Sequence, residues 1–167
     1  MSKIMIIGAN WEQAPLLKRA KELGLYVIAT DPNSDAPGFE YADEQYIVDP
    51  RNLKRVEQIY VQTEPDGVTA DECDYSIFAA SYITNKFGLK GPNIDSSLIT
   101  SNKFLQREKA SEVGITQPSY ELCLTYNQVV EAFDKIGAPA VLKPIDSRGG
   151  IGVNKIDTKE ELNTSFY

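Results

Sequence analysis

Pro139-Ala-Val-Leu-Lys-Pro-Ile-Asp-Ser-Arg-Gly-Gly-Ile-Gly-Val153 reads as an apolar strand ending in a lysine, then a small-residue loop, then a second strand. Lys143 faces whatever lies beyond the first strand's end, and Pro144 ends its regular backbone. Three of the six residues from Ser147 to Gly152 are glycine. Glycine lets a backbone take positive φ and approach a ligand closely, and successive N–H groups in such a turn point at one anion. Lys143 adds a compact positive charge nearby. One reading is therefore a lid over a triphosphate; the other is a β-hairpin whose Gly-Gly only makes the turn. The G-x-x-x-x-G-K-[ST] spacing of a Walker loop is absent, and the loop lies between two strands, not ahead of a helix.

Working outward, the bulk of the chain narrows the classes. Its 167 residues suffice for one good core or two small ones. A net charge of −7 argues against a nucleic-acid partner, which favours a basic face. No apolar run approaches the roughly 20 residues that cross a bilayer, and Met1-Ser-Lys before Ile4 is too short for a signal peptide. Cys73 and Cys123 are far apart, without paired spacing, so the expectation is a cytoplasmic protein with reduced thiols. No histidine is present, which excludes Ser-His-Asp and Cys-His chemistry and every His-based metal site in this chain.

From the start, Ile4 to Gly8 is a continuous apolar run, as in a buried parallel strand. Asn10 with Gln13 is expected to form a capping box for a helix striped by Leu16, Leu17, Ala20 and Leu23 and stopped at Gly24. A second strand runs from Leu25 to Thr30 and a third from Gln45 to Val48. Asp49-Pro50 is expected to open the next helix, whose buried face is Leu53, Val56, Ile59 and Tyr60. A fourth strand, Asp66 to Ala70, precedes a helix striped by Tyr75, Phe78, Ala79, Tyr82 and Ile83. This alternation predicts an α/β fold with a parallel sheet covered on both faces. Ligands of such sheets collect at the carboxyl ends of the strands, where this chain has Asn10, Asp31 and Glu72. The two acidic groups among them read either as helix caps or as substrate contacts. Gly8 lacks the further glycines of G-x-G-x-x-G, which disfavours a nicotinamide-dependent oxidoreductase.

Residues 1–94 form the predicted first domain and 95–167 the second. In the second, Ser101 is expected to cap a helix carrying Lys103, Phe104, Leu105, Ala110 and Val113. Thr125 and Gln128 make a capping box for a helix striped by Val129, Val130, Phe133 and Ile136. Thr158 and Glu161 make another, which only a few residues follow before Tyr167, so the segment reads as cut from something longer.

Three places resemble the ATP-grasp superfamily of carboxylate–amine ligases. Val27-Ile-Ala-Thr-Asp-Pro-Asn33 through Pro37-Gly38, Ala42-Asp43 and Ile47-Val-Asp49 is similar to the Rossmann-like domain preceding the grasp in carbamoyl-phosphate-synthase-like proteins and purine-synthesis ligases. Ser101-Asn-Lys-Phe104, followed by Ala110-Ser-Glu-Val-Gly-Ile-Thr-Gln-Pro118, resembles a second family segment, with Asn102 where Asp is usual. The Lys143 strand and its glycine loop resemble the third. The likeness implies a Rossmann-like pre-ATP-grasp domain followed by the first lobe of the grasp. It also implies that Lys103 and Lys143 contact nucleotide phosphates while Ser147, Gly149, Gly150 and Gly152 fold over them, with Arg148 in that loop either adding charge at the site or facing solvent. Glu72, and more weakly Asp31 and Asn10, would meet the substrate.

The implied reaction uses ATP and Mg2+ to turn a small carboxylate into an acylphosphate that an amine or similar nucleophile attacks. The metal's acidic ligands are expected outside this chain, so the chain alone is expected to be inactive. An unmatched lobe would leave apolar surface or a strand edge exposed, which favours a homodimer. A non-catalytic binding or scaffold module using the same sheet is the alternative.

Overall fold

The computed structural model describes residues 1–147 and 149–165, and the chain folds as two compact units, Met1–Ser101 and Asn102–Tyr167. The first unit contains β1 (Lys3–Ile7), α1 (Ala14–Glu22), β2 (Tyr26–Asp31), a 3-10 turn (Pro37–Tyr41), β3 (Glu44–Ile47), α2 (Leu53–Thr63), β4 (Gly67–Ala70), α3 (Asp74–Phe87) and α4 (Ile94–Ser101). The four strands lie in the order β3-β2-β1-β4 and every neighbouring pair is parallel.

Successive side chains of a strand point to opposite faces, and here both faces are buried. Met5, Ile7 and Ile28 pack with Val56 and Ile59 of α2 and with Ala79, Ala80 and Ile83 of α3. Ile6, Val27 and Ala29 pack on the other face with Leu17 and Ala20 of α1 and with Phe39. That explains why β1 reads as an unbroken apolar run and not as an alternation.

Three helix starts differ from the sequence expectation. Asn10 does not make a capping box with Gln13: α1 begins at Ala14, with no side-chain cap. Pro15 decides this, because a helix begun at Trp11 would place the proline ring against the carbonyl one turn back. The Asn10 carbonyl accepts the N–H groups of Gln13 and Ala14 (3.0 and 2.9 Å). Gln13 Nε2 instead donates to the Asp71 carbonyl at 3.1 Å. Asp49-Pro50 also fails to open a helix. Asp49 accepts from the Arg51 backbone N–H (2.8 Å) and holds the Arg51 guanidinium, while Asn52 caps α2 through Arg55 N–H. Ser101 is the last residue of α4, its hydroxyl bonded to the Ser97 carbonyl at 2.8 Å.

The second unit contains α5 (Lys103–Glu112), α6 (Tyr126–Ile136), β5 (Ala140–Leu142), β6 (Asn154–Ile156), a 3-10 turn (Lys159–Glu161) and α7 (Leu162–Ser165). Asn102 is the cap of α5, its side-chain oxygen accepting from Phe104 and Leu105 N–H, both at 3.0 Å. The expected box at α6 forms, with Gln128 N–H donating to Thr125 Oγ1 and Thr125 N–H to Gln128 Oε1. β5 and β6 are antiparallel, Ala140 opposite Ile156 and Leu142 opposite Asn154. Val129, Ile156 and Leu162 form the buried centre.

Candidate functional site

The polar site of the second unit is assembled from a helix start and a strand end. The cap at Asn102 places Lys103 at the first position of α5, and Arg107, four residues on, shares its face. Lys143 follows directly on β5. Lys103 N–H donates to the Ile145 carbonyl at 2.8 Å, which ties the helix start to the segment after Lys143. The Lys103 ammonium donates to the Ser147 carbonyl. Lys103, Arg107 and Lys143, with Gln106, Ala110 and Gln117, line a cavity of about 380 Å3. Among the described residues no carboxylate lines it.

Loss of surrounding water, then the charges of Arg107 and Lys103, pull the Lys143 ammonium below its ordinary lysine value. Such a group favours an anion that would restore its lost solvation. A second cleft of about 540 Å3 shares the three cations but is walled largely by apolar groups, including Phe104, Phe133 and Ile145. Phe104 is held edge-on to Tyr120, ring centroids 6.0 Å apart.

The loop from β5 to β6 has the backbone that the glycines suggest. Gly149, Gly150 and Gly152 sit at φ 59°, 76° and 73°. A Cβ on Gly152 would come 2.8 Å from Pro144 Cγ, so bulk as well as conformation demands glycine there. Val153 N–H closes the turn on the Gly150 carbonyl at 3.1 Å. Arg148 lies outside the described residues. Among the described residues there is no group of three or more His, Cys, Asp or Glu side chains placed to hold a metal.

The three residues singled out in the first unit lie at the carboxyl end of its sheet. Asp31 is buried, and backbone donors engage both its oxygens: Ala9 N–H on Oδ2 and Asn33 N–H on Oδ1, each at 2.8 Å. It clamps the end of β1 to the end of β2. Asn10 Oδ1 accepts from Trp11 N–H at 2.9 Å. Glu72, just past β4, is exposed and has φ 57°, a backbone that non-glycine residues rarely take. Sequence reasoning passed over Arg107 and Gln117; the signal was the four-residue step from Lys103 to Arg107.

No family model matches the chain. The formate-dependent phosphoribosylglycinamide formyltransferase of Methanocaldococcus jannaschii is 26% identical over 166 residues, which are 98% of this chain and 42% of that protein. Among solved structures, the N5-carboxyaminoimidazole ribonucleotide synthetase of Thermotoga maritima superposes with a TM-score of 0.76 at 29% identity, over 98% of this chain and 43% of that one. The chain is related to the ATP-grasp carboxylate–amine ligases. Phosphoribosylglycinamide synthetase from Anaerococcus prevotii extends the ATP-grasp likeness, with a TM-score of 0.69 and 26% identity over 99% of this chain and 41% of that one. The chain thus spans about two fifths of the length of the ATP-grasp relatives it matches.

Proposed function

We propose that the chain supplies the phosphate-gripping part of an ATP-grasp ligase, one that activates a small carboxylate as an acylphosphate for attack by an amine or similar nucleophile. The observation that carries this reading is the cavity with three cations and, among the described residues, no carboxylate in its lining. In a chain of net charge −7, positive charge has to be concentrated locally to bind a polyanion. The donor set suits phosphate oxygens: two ammonium groups and a guanidinium, with a glycine turn beside them.

ATP, when bound, supplies the phosphoryl group that turns a carboxylate oxygen into a leaving group. Lys143 and Lys103 hold phosphate oxygens and offset charge developing on them. Ser147, Gly149, Gly150 and Gly152 close backbone N–H groups over the same oxygens and keep water out; Arg148 belongs to this loop in sequence. Mg2+ is part of the proposed reaction, but among the described residues no acidic cluster is placed to hold it. The names of the relatives favour a phosphoribosyl-linked amine as nucleophile, with Glu72, Asn10 and Asp31 on its side of the reaction. The reading includes a cytoplasmic setting, no nucleic-acid or membrane partner and a homodimer. Among the described residues no helix is long and apolar enough to cross a membrane.

An NMR titration of the chain with ATP tests this reading. Weak binding is expected, with shifts at Lys103, Lys143 and residues 149–152, and with no ADP released. Absence of any shift at those residues would overturn the phosphate role, and steady ATP-dependent ligation by this polypeptide would overturn its incompleteness.

A further inference from the structure

Several cations elsewhere in the molecule are paired with carboxylates. Lys21, Lys86, Lys109, Lys135, Lys155 and Lys159 each reach a carboxylate within 3.3 Å. Lys103, Arg107 and Lys143 differ in being gathered in one cavity, and among the described residues none of the three makes a salt bridge. Like charges brought together are unfavourable, and an anion bound among them would offset that cost.

The Lys103 ammonium is already engaged with the Ser147 carbonyl. Arg107 is differently held. Its Nη1 donates to Gln117 Oε1 at 2.6 Å. Gln117 Nε2 in turn donates to the carbonyls of Thr116 (3.0 Å) and Ile115 (3.3 Å), which fixes the amide with its oxygen toward Arg107. One N–H of the guanidinium is spent on that anchor. The rest of the fork remains for oxygens spaced as a phosphate presents them.

We infer that Arg107, aimed by Gln117, binds the anion alongside Lys103 and Lys143, and that this third cation makes the pocket select a chain of phosphates over a single phosphate. The inference rests on the phosphate reading above and adds the residue that sets anion length. A single phosphate satisfies one or two of the cations. A polyphosphate spans all three and neutralises the whole cluster. Arg107 is here a binding residue and Gln117 a positioning residue.

Inorganic tripolyphosphate and orthophosphate, each titrated against the chain by NMR, provide the test, with circular dichroism confirming the fold of every variant. Arg107→Gln is expected to weaken tripolyphosphate about tenfold while changing orthophosphate far less, since a charge-assisted contact is lost only with the longer anion. Arg107→Lys restores most of that loss. Gln117→Leu weakens tripolyphosphate about threefold, and Arg107→Gln/Gln117→Leu is no weaker than Arg107→Gln alone, because the two act as one unit. If Lys143→Met abolishes binding but Arg107→Gln leaves the preference for tripolyphosphate intact, the inference fails and the phosphate reading stands. If the unaltered chain binds neither anion, both fail.

Discussion

The first unit buries its apolar side chains on two faces of a four-stranded sheet, whereas the second has a two-stranded ribbon and a small buried centre. Met5, Ile6, Ile7, Val27 and Ile28 have no accessible surface. Val141 and Ile151 in the second unit are 60% and 66% exposed, and Leu124 is 74% exposed. The difference teaches where each region's stability and chemistry come from. Helices on both faces bury the first unit's strands, although Trp11 and Leu23 on its surface stay 70% and 61% exposed. The second leaves the ribbon's apolar side chains exposed and gathers Lys103, Arg107 and Lys143 around one cavity, the feature on which the proposed anion site rests.

The largest expected contrast is in core truncation. Ile28→Ala should cost the first unit about 2–5 kcal/mol in urea unfolding, since the buried site cannot collapse fully. Val141→Thr, at an exposed ribbon position, should stay within about 0.5 kcal/mol. Equal costs at the two sites would erase the contrast. Next is Asp31→Ala, which strips an acceptor from two backbone N–H groups, Ala9 among them, and should cost about 1–3 kcal/mol for the buried donor. Asn102→Ala removes the α5 cap and should cost about 1 kcal/mol, with helix fraying seen as faster amide exchange at Phe104 and Leu105.

The subtlest contrast is in pH. The hydrogen bond from Lys21, then that from Val27 N–H, holds the Asp43 carboxyl below its ordinary value of 3.8. Its contribution is complete above that value and is lost as pH falls through the lower folded one, so acid should weaken the first unit. Lys143 has the opposite sense. Its folded value lies below the ordinary 10.5, so the unfolded chain binds more protons in that interval and stability rises with pH across it. Lys143→Met should remove the alkaline gain and leave the acid loss unchanged, measured by unfolding midpoints across pH. Loss of the acid effect in that variant would contradict the independence of the two.

Much of the first unit was legible because buried parallel strands announce themselves as unbroken apolar runs. Ile4 to Ile7, and Val27 to Thr30, needed no tertiary information to be read as strands. Helix starts were less legible, since several acceptors compete near each one. Asn10, Asp49 and Ser101 are all reasonable caps by residue type, yet Pro15 excluded the first, the Arg51 contact engaged the second and α4 absorbed the third. The helix α4 itself was missed. Its signal was Asn93, whose side chain accepts from Asp95 N–H at 2.7 Å. At the candidate site, Lys103, Lys143 and the glycines stood out because their residue types suggest phosphate binding, whereas Arg107 looked like any solvated helix charge.

The order of apolar and polar residues thus determined the alternating elements and their parallel sheet, because burial on two faces leaves a pattern local enough to read. Which cations share a cavity was decided only by the fold. Lys103 and Lys143 meet because α5 begins where the strand before the glycine loop ends, and Arg107 joins them because one helical turn carries it to the same face. A pocket belongs to no single stretch of chain: its charge is the sum of side chains that only folding brings together.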